Sequence, residues 1–423
     1  MYHRTDLENG LRVVTHSVPD RQSVAIGIIV GAGGRYEEKA NKGVAHFLEH
    51  MVFKGSRKYS CKQIKESVEG VGGALNAFTT EEQTCFYAKI PAKHLSLTFD
   101  VLADMAFFPS LAEKDVVKEK GVILEEIKMY HDLPQYYVHD LLDELMWPDH
   151  PLGISLVGTQ ESVGGLSAAA LKTFHADNFR AGNVVISACG HLRHDAFVRL
   201  VRQKLGKISS GTGPDFLEAA ASQDHPKARF FRKDTEQMHL ALGMPGMDNQ
   251  DPERYALSLL NIILGGNMSS RLFNEIREKR GLAYSISSST KYLYDTGALV
   301  VRAGVDNAKI VDTVDVVLRE LVKIRRNGVG AGEFARARDY FIGQVTLGLE
   351  ETMDHMLWIG ESTMIYDRIR TLKELIALIR KVKPGDIRAV TRKIFRDDRY
   401  SMALIGPITD EQEKKMRGLL SIP

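Results

Sequence analysis

A stretch of apolar residues near the N-terminus repeats with the spacing of an α-helix. The apolar side chains stand at i, i+3, i+4, i+7 and i+8: Val44, Phe47, Leu48, Met51 and Val52. Residues at these intervals share one face of a helix, and such a face packs against a hydrophobic core. The pattern therefore predicts a helix over residues 44–52 that buries one side and presents its polar residues on the other.

Two further apolar runs, Val24–Val30 and Met238–Gly243, indicate strands. Helical patterns of similar composition follow in each half, such as Asp100–Met105 and Asp315–Leu321. The halves correspond at an offset of roughly 215 residues, which indicates an internal repeat. Strands interleaved with helical runs predict mixed helix-and-sheet domains.

A segment rich in Gly, Ser, Ala and Pro separates the two halves and has the composition of a linker. We therefore predict an N-terminal domain over residues 1–208, a linker over residues 209–226 and a C-terminal domain over residues 227–423. A chain of 423 residues is long enough for two such domains.

The composition is ordinary for a globular protein, with 44% hydrophobic and 26% charged residues. The formal net charge of +2 offers no basic excess that would attract nucleic acid or an anionic membrane surface. No apolar run reaches the length of a transmembrane helix. We expect neither a nucleic acid nor a membrane as a partner.

The three cysteines, Cys61, Cys85 and Cys189, are odd in number and form no C-x-x-C pair. This pattern is typical of free thiols in a reducing compartment. The first ten residues contain no apolar signal core. The expected location is therefore the cytoplasm.

The polar side of the predicted helix carries His46, Glu49 and His50, which form an H-x-x-E-H motif. Residues four apart share a helical face, so both imidazoles can bind one metal ion. Glu49 lies within one turn of both and can accept a proton from a water at that ion. The alternative is two solvated histidines beside a glutamate on an exposed face, and a third ligand would argue against it. The corresponding segment of the second half, Ala256–Asn261, lacks the motif, so one site per chain is predicted.

A catalytic zinc ion usually takes three protein ligands and leaves one position open. A second helical segment, Asp115–Ile127, offers glutamates for the third position. Glu119 and Glu126 are seven residues apart and share a face. Spacing alone leaves Glu119, Glu125 and Glu126 open as the third ligand, and a charged, solvated helix face remains the alternative.

The chain resembles the pitrilysin/insulinase family of zinc peptidases, M16, over nearly its full length. The resemblance rests on five sequence segments that stand at the separations expected in the family: Gly43–Gly55, Leu75–Thr79, Glu119–Ile127, Ser270–Leu272 and Arg277–Tyr284. Within the family, the chain is most similar to the subfamily that includes mitochondrial processing peptidase and its bacterial relatives. The resemblance implies an α+β fold. It consists of two homologous α/β sandwich domains, each an antiparallel-rich sheet covered by helices, that together form a half-shell.

The resemblance also implies the composition of the zinc site. The spacing in the family makes Glu126 the third ligand beside His46 and His50. Glu119 matches a second acidic residue, which supports the site by orienting a ligating histidine. Glu49 matches the general base. No position of the active site departs from the family pattern.

Further residues are implied as substrate contacts. Asn76 and Ala77 match positions on an exposed strand edge with which a substrate peptide pairs in relatives. Arg277 and Tyr284 match the Arg–Tyr pair that family peptidases present to the zinc site. There a phenol can stabilise an oxyanion and a guanidinium can hold a substrate carbonyl.

The predicted function is that of a zinc-dependent endopeptidase with one zinc ion per chain. The resemblance implies unfolded peptides or presequences as substrates, enclosed in a chamber of paired half-shells. Because both halves carry the bacterial-type motifs, a homodimer is predicted. The alternatives are a non-catalytic assembly subunit of the processing-peptidase or core-protein type, and an active subunit that needs a different partner chain. Non-catalytic relatives usually lose residues of the zinc site, whereas this chain keeps all of them.

Overall fold

The structure is a computed structural model that describes residues 1–219 and 223–420. In these ranges, eleven strands form two separate sheets. The first sheet contains β1 (Tyr2–Asp6), β2 (Arg12–Ser17), β3 (Ser23–Val30), β4 (Ala74–Thr79), β5 (Thr84–Pro91) and β6 (Val184–Gly190). The second contains β7 (Lys227–Arg232), β8 (Gln237–Pro245), β9 (Ala283–Tyr292), β10 (Gly297–Asp306) and β11 (Ser401–Gly406).

Helices separate the strands in both halves of the chain. The first half contains α1 (Val44–Val52), α2 (Cys61–Glu69), α3 (Leu95–Phe107), α4 (Glu113–Asp132), α5 (Pro134–Met146), α6 (Gln160–Gly165), α7 (Ala168–Asn178) and α8 (His194–Leu205). The second half contains α9 (Arg254–Leu264), α10 (Ile310–Asn327), α11 (Ala331–Gly348), α12 (Thr352–Tyr366), α13 (Leu372–Lys381), α14 (Pro384–Ile394) and α15 (Asp410–Leu420). A π-helical segment, Phe273–Glu278, precedes β9.

The two sheets share one strand order. The first sheet runs β1-β2-β6-β3-β5-β4 and the second runs β7-β11-β8-β10-β9, so β2, β6, β3, β5 and β4 correspond to β7, β11, β8, β10 and β9. Among the strands of the described residues, only the β2–β6 and β7–β11 pairs are parallel, and the other pairs are antiparallel. Two antiparallel-rich sheets covered by helices confirm the predicted fold class.

Strand β3 consists of a continuous run of apolar residues, and its place in the first sheet explains this run. Successive side chains of a strand point to opposite faces, so a strand that is apolar throughout needs cover on both faces. The side chains at even positions enter the main core of the first sheet: Val24, Ile26, Ile28 and Val30. The side chains of Ala25 and Ile29 face the other way and pack under α12.

Each sheet is covered on one face by a helix from the other half of the chain. Helix α12 packs on β3 and β6, where the Ser187 hydroxyl donates a hydrogen bond to the Met356 carbonyl oxygen at 2.6 Å. Helix α5 packs on β8 and β11, with Leu141 in one apolar cluster with Ala241 and Ile405. Full burial of a side chain such as Leu141 contributes about 1.5–3 kcal/mol, so these helices are integral to the sheets that they cover.

The compact units of the chain are interleaved as a result. One unit contains Met1–Lys128, Ile154–Leu217 and Thr346–Thr371, and the other contains Met129–Gly153, Glu218–Val345 and the chain from Leu372. The predicted division at residues 208 and 227 separates the described strands of the two sheets, whereas α5 and α12 do not follow it. Residues 220–222 of the predicted linker and residues 421–423 of the predicted second domain lie outside the described residues.

Candidate metal centre

Helix α1, which carries the H-x-x-E-H motif, is preceded by a position that favours glycine. Gly43 has a φ of 92°, and a Cβ atom there would lie 2.7 Å from the carbonyl oxygen of Val157. The carboxylate of Glu37 accepts hydrogen bonds from the backbone amides of Gly43 (3.0 Å) and Ala45 (2.7 Å). A carboxylate at this end satisfies free amides and stabilises the helix dipole. These hydrogen bonds therefore hold the first turn of α1, which contains His46, in place.

Helix α1 spans Val44–Val52, as its apolar stripe predicts. The five stripe residues are buried in the core of the first sheet. His46 is 9% exposed, and Glu49 and His50 are partly exposed on the other side. The packing of one face thus aims the three polar side chains away from the core.

Helix α4 brings a carboxylate to the two imidazoles. One ligand atom each from His46, His50 and Glu126 lies within 4.8 Å of the others. The Nε2 atom of His46 is 3.9 Å from one carboxylate oxygen of Glu126, and the Nε2 atom of His50 is 3.6 Å from the other. A tetrahedral zinc ion separates its nitrogen and oxygen ligands by about 3.3 Å, so only a small contraction would be needed.

A second glutamate of α4 orients His50 from its other side. The Nδ1 atom of His50 lies 3.0 Å from a carboxylate oxygen of Glu119, and the Lys54 ammonium group lies 2.5 Å from the second oxygen. Burial would raise the pKa of Glu119, but the hydrogen bonds from Lys54 and His50 outweigh it and lower this pKa. An ionised Glu119 accepts a hydrogen bond from the Nδ1–H group, which leaves Nε2 with a free lone pair.

Glu125 is directed away from this cluster. Its carboxylate pairs with Lys128 at 2.7 Å and its side chain is 73% exposed, whereas the side chain of Glu126 is 23% exposed. Among the three glutamates that helical spacing left open, Glu126 faces both imidazoles, Glu119 contacts His50, and Glu125 faces solvent.

Glu49 is held by the end of strand β4. The Thr79 hydroxyl donates a hydrogen bond of 2.5 Å to one carboxylate oxygen of Glu49. Burial raises the pKa of Glu49 above its ordinary value, and the Thr79 hydrogen bond partly opposes this shift. A carboxylate whose proton affinity is raised by burial is suited to accept a proton during a reaction.

His46 is neutral and lacks a fixed tautomer. Burial, with the nearby His50, lowers the pKa of His46 to about 4, so its ring carries a lone pair at neutral pH. Its Nδ1 atom is buried and has no hydrogen-bond partner within residues 1–219 and 223–420. A neutral ring of this kind offers a nitrogen ligand to a cation.

The predicted substrate contacts lie on β4, the edge strand beside β5. Asn76 is exposed and Ala77 is 9% exposed. The backbone amide of Ala77 donates a hydrogen bond to the side-chain oxygen of Asn76 at 2.9 Å. An edge strand keeps one row of backbone groups available for pairing with another chain.

Arg277 and Tyr284 belong to the compact unit of the second sheet. Arg277 lies in the π-helical segment, and its guanidinium carbon is 5.8 Å from the centre of the Tyr284 ring. Tyr284 lies on the edge strand β9 and is 75% exposed. A tyrosine this exposed has its hydroxyl available to another molecule.

Three supporting residues are not among those that the sequence predicts. Lys54 continues the four-residue spacing of His46 and His50, and this spacing could have identified it. Thr79 stands in the matched string Leu75–Thr79, but no local pattern connects it with Glu49. Glu37 precedes α1 without a helical signal, so only its contacts reveal its role.

Two family descriptions match the chain. Residues 12–160 match "Insulinase (Peptidase family M16)", and residues 165–341 match "Peptidase M16 inactive domain". The chain belongs to peptidase family M16. The second description covers much of the half that lacks the H-x-x-E-H motif.

Relatives from several bacteria resemble this M16 chain over almost its whole length. An uncharacterized zinc protease of Streptomyces coelicolor is 38% identical over 98% of this chain and 91% of its own. An uncharacterized zinc protease of Bacillus subtilis is 36% identical over 96% of this chain and 98% of its own. Both of these relatives are named zinc proteases, so the chain is similar to proteins of that name.

Two solved structures share the fold. A protease from Helicobacter pylori has a TM-score of 0.90 at 19% identity and covers 96% of this chain and 99% of its own. A peptidase M16 inactive domain from Pseudomonas fluorescens has a TM-score of 0.89 at 21% identity and covers 96% and 98%. In the part of this chain that the structure describes, no helix is both long and apolar enough to cross a membrane.

Proposed function

We propose that this M16 chain is a zinc-dependent endopeptidase whose zinc ligands are His46, His50 and Glu126. The observation that carries the proposal is the convergence of their ligand atoms within 4.8 Å. Two imidazoles and one carboxylate form the ligand set of many catalytic zinc sites, and they leave a coordination position open.

The residues present fit a zinc ion. The Nδ1–H group of His50 donates a hydrogen bond to Glu119, and its Nε2 atom therefore presents a lone pair toward Glu126. His46 is neutral, and its buried ring finds no other polar partner for Nδ1 among the described residues. We propose one zinc ion per chain at this site. When bound, it would supply Lewis acidity to a water molecule and to the scissile carbonyl.

Glu49 would act as the general base. Its carboxylate takes a proton from the attacking water and later delivers it to the leaving amine. Thr79 holds one oxygen of this carboxylate through a hydrogen bond, which leaves the other oxygen to face the water. The raised pKa of Glu49 favours proton uptake, and delivery to a basic amine remains favourable.

The substrate would add to the first sheet as a strand beside β4. Backbone hydrogen bonds accept peptides of varied sequence, which favours unfolded peptides or presequences over folded proteins. The Ala77 amide, now bonded to the Asn76 side chain, would turn to the substrate. The Asn76 side chain would then be free to hold a substrate backbone group.

Arg277 and Tyr284 would complete the site from a second copy of the chain. The Tyr284 hydroxyl would donate to the developing oxyanion, and the Arg277 guanidinium would hold a substrate carbonyl. We therefore propose a homodimer in which paired half-shells enclose the substrate. Because the three cysteines are free thiols, we propose the cytoplasm as its location.

A peptide library, incubated with the purified full chain and read by mass spectrometry, tests the proposed activity. We expect internal cleavage that stops with a chelator and returns when zinc is added. A zinc-loaded protein that cleaves none of the peptides would overturn the proposal and favour the non-catalytic assembly subunit instead.

A further inference from the structure

A second group of potential metal ligands lies in the unit of the first sheet, built from residues that the proposed active site does not use. His16 on β2 is paired directly with Cys189 on the parallel strand β6. Directly paired residues present their side chains on the same face of a sheet. Helix α12 covers this face and contributes His355. Three elements that are distant in the sequence thus bring two imidazoles and a thiol together.

The spacing of the three side chains is close to that of a metal site. One ligand atom each from His16, Cys189 and His355 lies within 4.8 Å of the others, and the Cys189 sulfur is 3.8 Å from the His16 Nδ1 atom. Tetrahedral zinc bonds of about 2.0 Å to nitrogen and 2.3 Å to sulfur separate the two atoms by about 3.5 Å. A contraction of up to about 1.5 Å from the 4.8 Å limit would therefore close the site.

Side-chain rotation can supply this contraction. The rings of His16 and His355 are stacked, with their centres 4.2 Å apart and an angle of 23° between their planes. A metal ion binds in the plane of an imidazole, so the His16 ring must turn about its Cβ–Cγ bond to point a nitrogen toward the ion, while His355 keeps its orientation. His16 is partly exposed, which leaves room for this turn and a path for the ion.

His355 is already oriented as a metal-binding histidine would be. Its Nδ1 atom lies 3.1 Å from the carbonyl oxygen of Leu349, and a carbonyl oxygen only accepts, so Nδ1 carries the proton. A backbone carbonyl on the far nitrogen is the usual partner of a histidine that binds a metal through the other nitrogen. The Nε2 atom accepts a hydrogen bond from the Tyr2 hydroxyl at 2.9 Å, and this hydroxyl would give way to the ion at that nitrogen.

We propose that His16, Cys189 and His355 bind a second metal ion, separate from the proposed catalytic centre. Thiolate and imidazole ligands together select borderline or soft cations, and zinc fits this set. The cysteine thiol releases its proton to the solvent when the sulfur–metal bond forms. The ion would fasten α12, from the second half of the sequence, to two strands from the first half. Its role is structural and does not depend on the proposed peptidase activity.

Cobalt(II) tests this site without interference from the proposed catalytic centre. A cobalt–thiolate bond produces a strong charge-transfer band in the near ultraviolet, and His46, His50 and Glu126 contain no sulfur. Titration of the metal-free full chain with cobalt should produce this band. Its intensity should saturate at the value expected for one cobalt–thiolate bond per chain. Zinc should then remove the band by displacement.

The cysteines offer matched controls. Cys189→Ser should abolish the band, because it removes the proposed sulfur ligand. Cys85→Ser should keep the band, because Cys85 is not part of the group. The two variants are matched in burial, since Cys85 and Cys189 are both 1% exposed. His355→Gln should weaken cobalt binding at least tenfold while it leaves the thiol intact, and it serves if Cys189→Ser does not fold. A wild-type chain that shows no charge-transfer band at saturating cobalt overturns the proposal. A band that persists in folded Cys189→Ser protein does the same.

Discussion

The Nδ1 atom of His50 on α1 lies 3.0 Å from a carboxylate oxygen of Glu119 on α4, a residue sixty-nine positions later in the chain. Lys54 holds the second oxygen of that carboxylate at 2.5 Å. The hydrogen bond fixes which nitrogen of His50 is free for a metal ion. We therefore expect Glu119 to affect zinc affinity without contact with the ion.

The first prediction is that Glu119→Gln weakens zinc binding while it leaves the three ligands in place. Loss of the negative charge makes His50 a poorer ligand, and partners of this kind are worth about 10- to 100-fold in metal affinity. Competition with a fluorescent chelator measures the change. Glu113→Gln, at an exposed position at the start of the same helix, should bind zinc as the wild type does. Equal affinities in the two variants would contradict the role given to Glu119.

The second prediction separates zinc binding from catalysis. Glu49→Gln cannot accept a proton from water, but His46 and His50 remain. Peptide hydrolysis should fall at least about 100-fold, since general bases contribute about 10²- to 10⁴-fold. Metal analysis should still find zinc at the wild-type level. Substantial turnover by zinc-loaded Glu49→Gln protein would exclude Glu49 as the base.

The third prediction concerns the identity of the carboxylate ligand. Glu126→Gln should lose zinc on dialysis, because the variant lacks the charge that faces both imidazoles. Glu125→Gln is the control one residue away, and it should retain zinc because Glu125 pairs with Lys128 in solvent. If dialysis emptied the Glu125 variant and left the Glu126 variant loaded, the ligand assignment would be wrong.

The fourth prediction is that two chains share each active site. Glu49→Gln and Tyr284→Phe should each be inactive alone. If Tyr284 serves the zinc ion of the partner, a mixed dimer has one site with both lesions and one site with neither. Activity should then return to the mixture after subunit exchange. Mass spectrometry must first detect the mixed dimers, and their presence without activity would contradict a shared site.

The fifth prediction follows from a charge cluster between α3 and α8. Asp100 accepts hydrogen bonds from Lys58 and Tyr59 and pairs with Lys204 at 2.6 Å. Burial opposes ionisation, but these partners lower the pKa of Asp100 from 3.8 to about 2. A pKa that is lower in the folded state means that the interaction stabilises the fold above the unfolded pKa. This contribution is lost as the pH falls toward 2.

Asp100→Asn should therefore lower the free energy of unfolding by about 1 kcal/mol at pH 7, after allowance for solvent screening. Urea unfolding at a series of pH values measures it, and the gap to the wild type should close between about pH 4 and pH 2. Asp20→Asn, at an exposed position, serves as the control and should show no such trend. A gap that stays constant down to pH 2 would show that the ion pairs of Asp100 do not stabilise the fold.

Local spacing in the sequence was enough to predict α1 and what it carries. The apolar stripe predicts a helix over Val44–Val52, and the same 3.6-residue period puts His46, Glu49 and His50 on the other side. The repeat was also visible, because strands β3 and β8 and helices α3 and α10 occupy matching places in the two halves. These features depend on residues within one element, where helix and strand geometry alone relates sequence to space.

The choice among Glu119, Glu125 and Glu126 shows where local geometry stops. All three stand on one helix, and its spacing does not say which turn faces α1; the packing of α4 decides that Glu126 faces the imidazoles and Glu125 faces solvent. The hydrogen bond from Thr79 to Glu49 likewise depends on where β4 ends relative to α1.

The sequence by itself determined α1, the strands β3 and β8 and the placement of His46, Glu49 and His50 on one side of α1, because each arises from a short, regular spacing. Only the tertiary structure decided that α5 and α12 each cover the sheet of the other half, and that α12 brings His355 to Cys189 and His16. These contacts join residues that are about a hundred or more positions apart. They are selected by the burial of complementary apolar faces, which no pattern within a single element records.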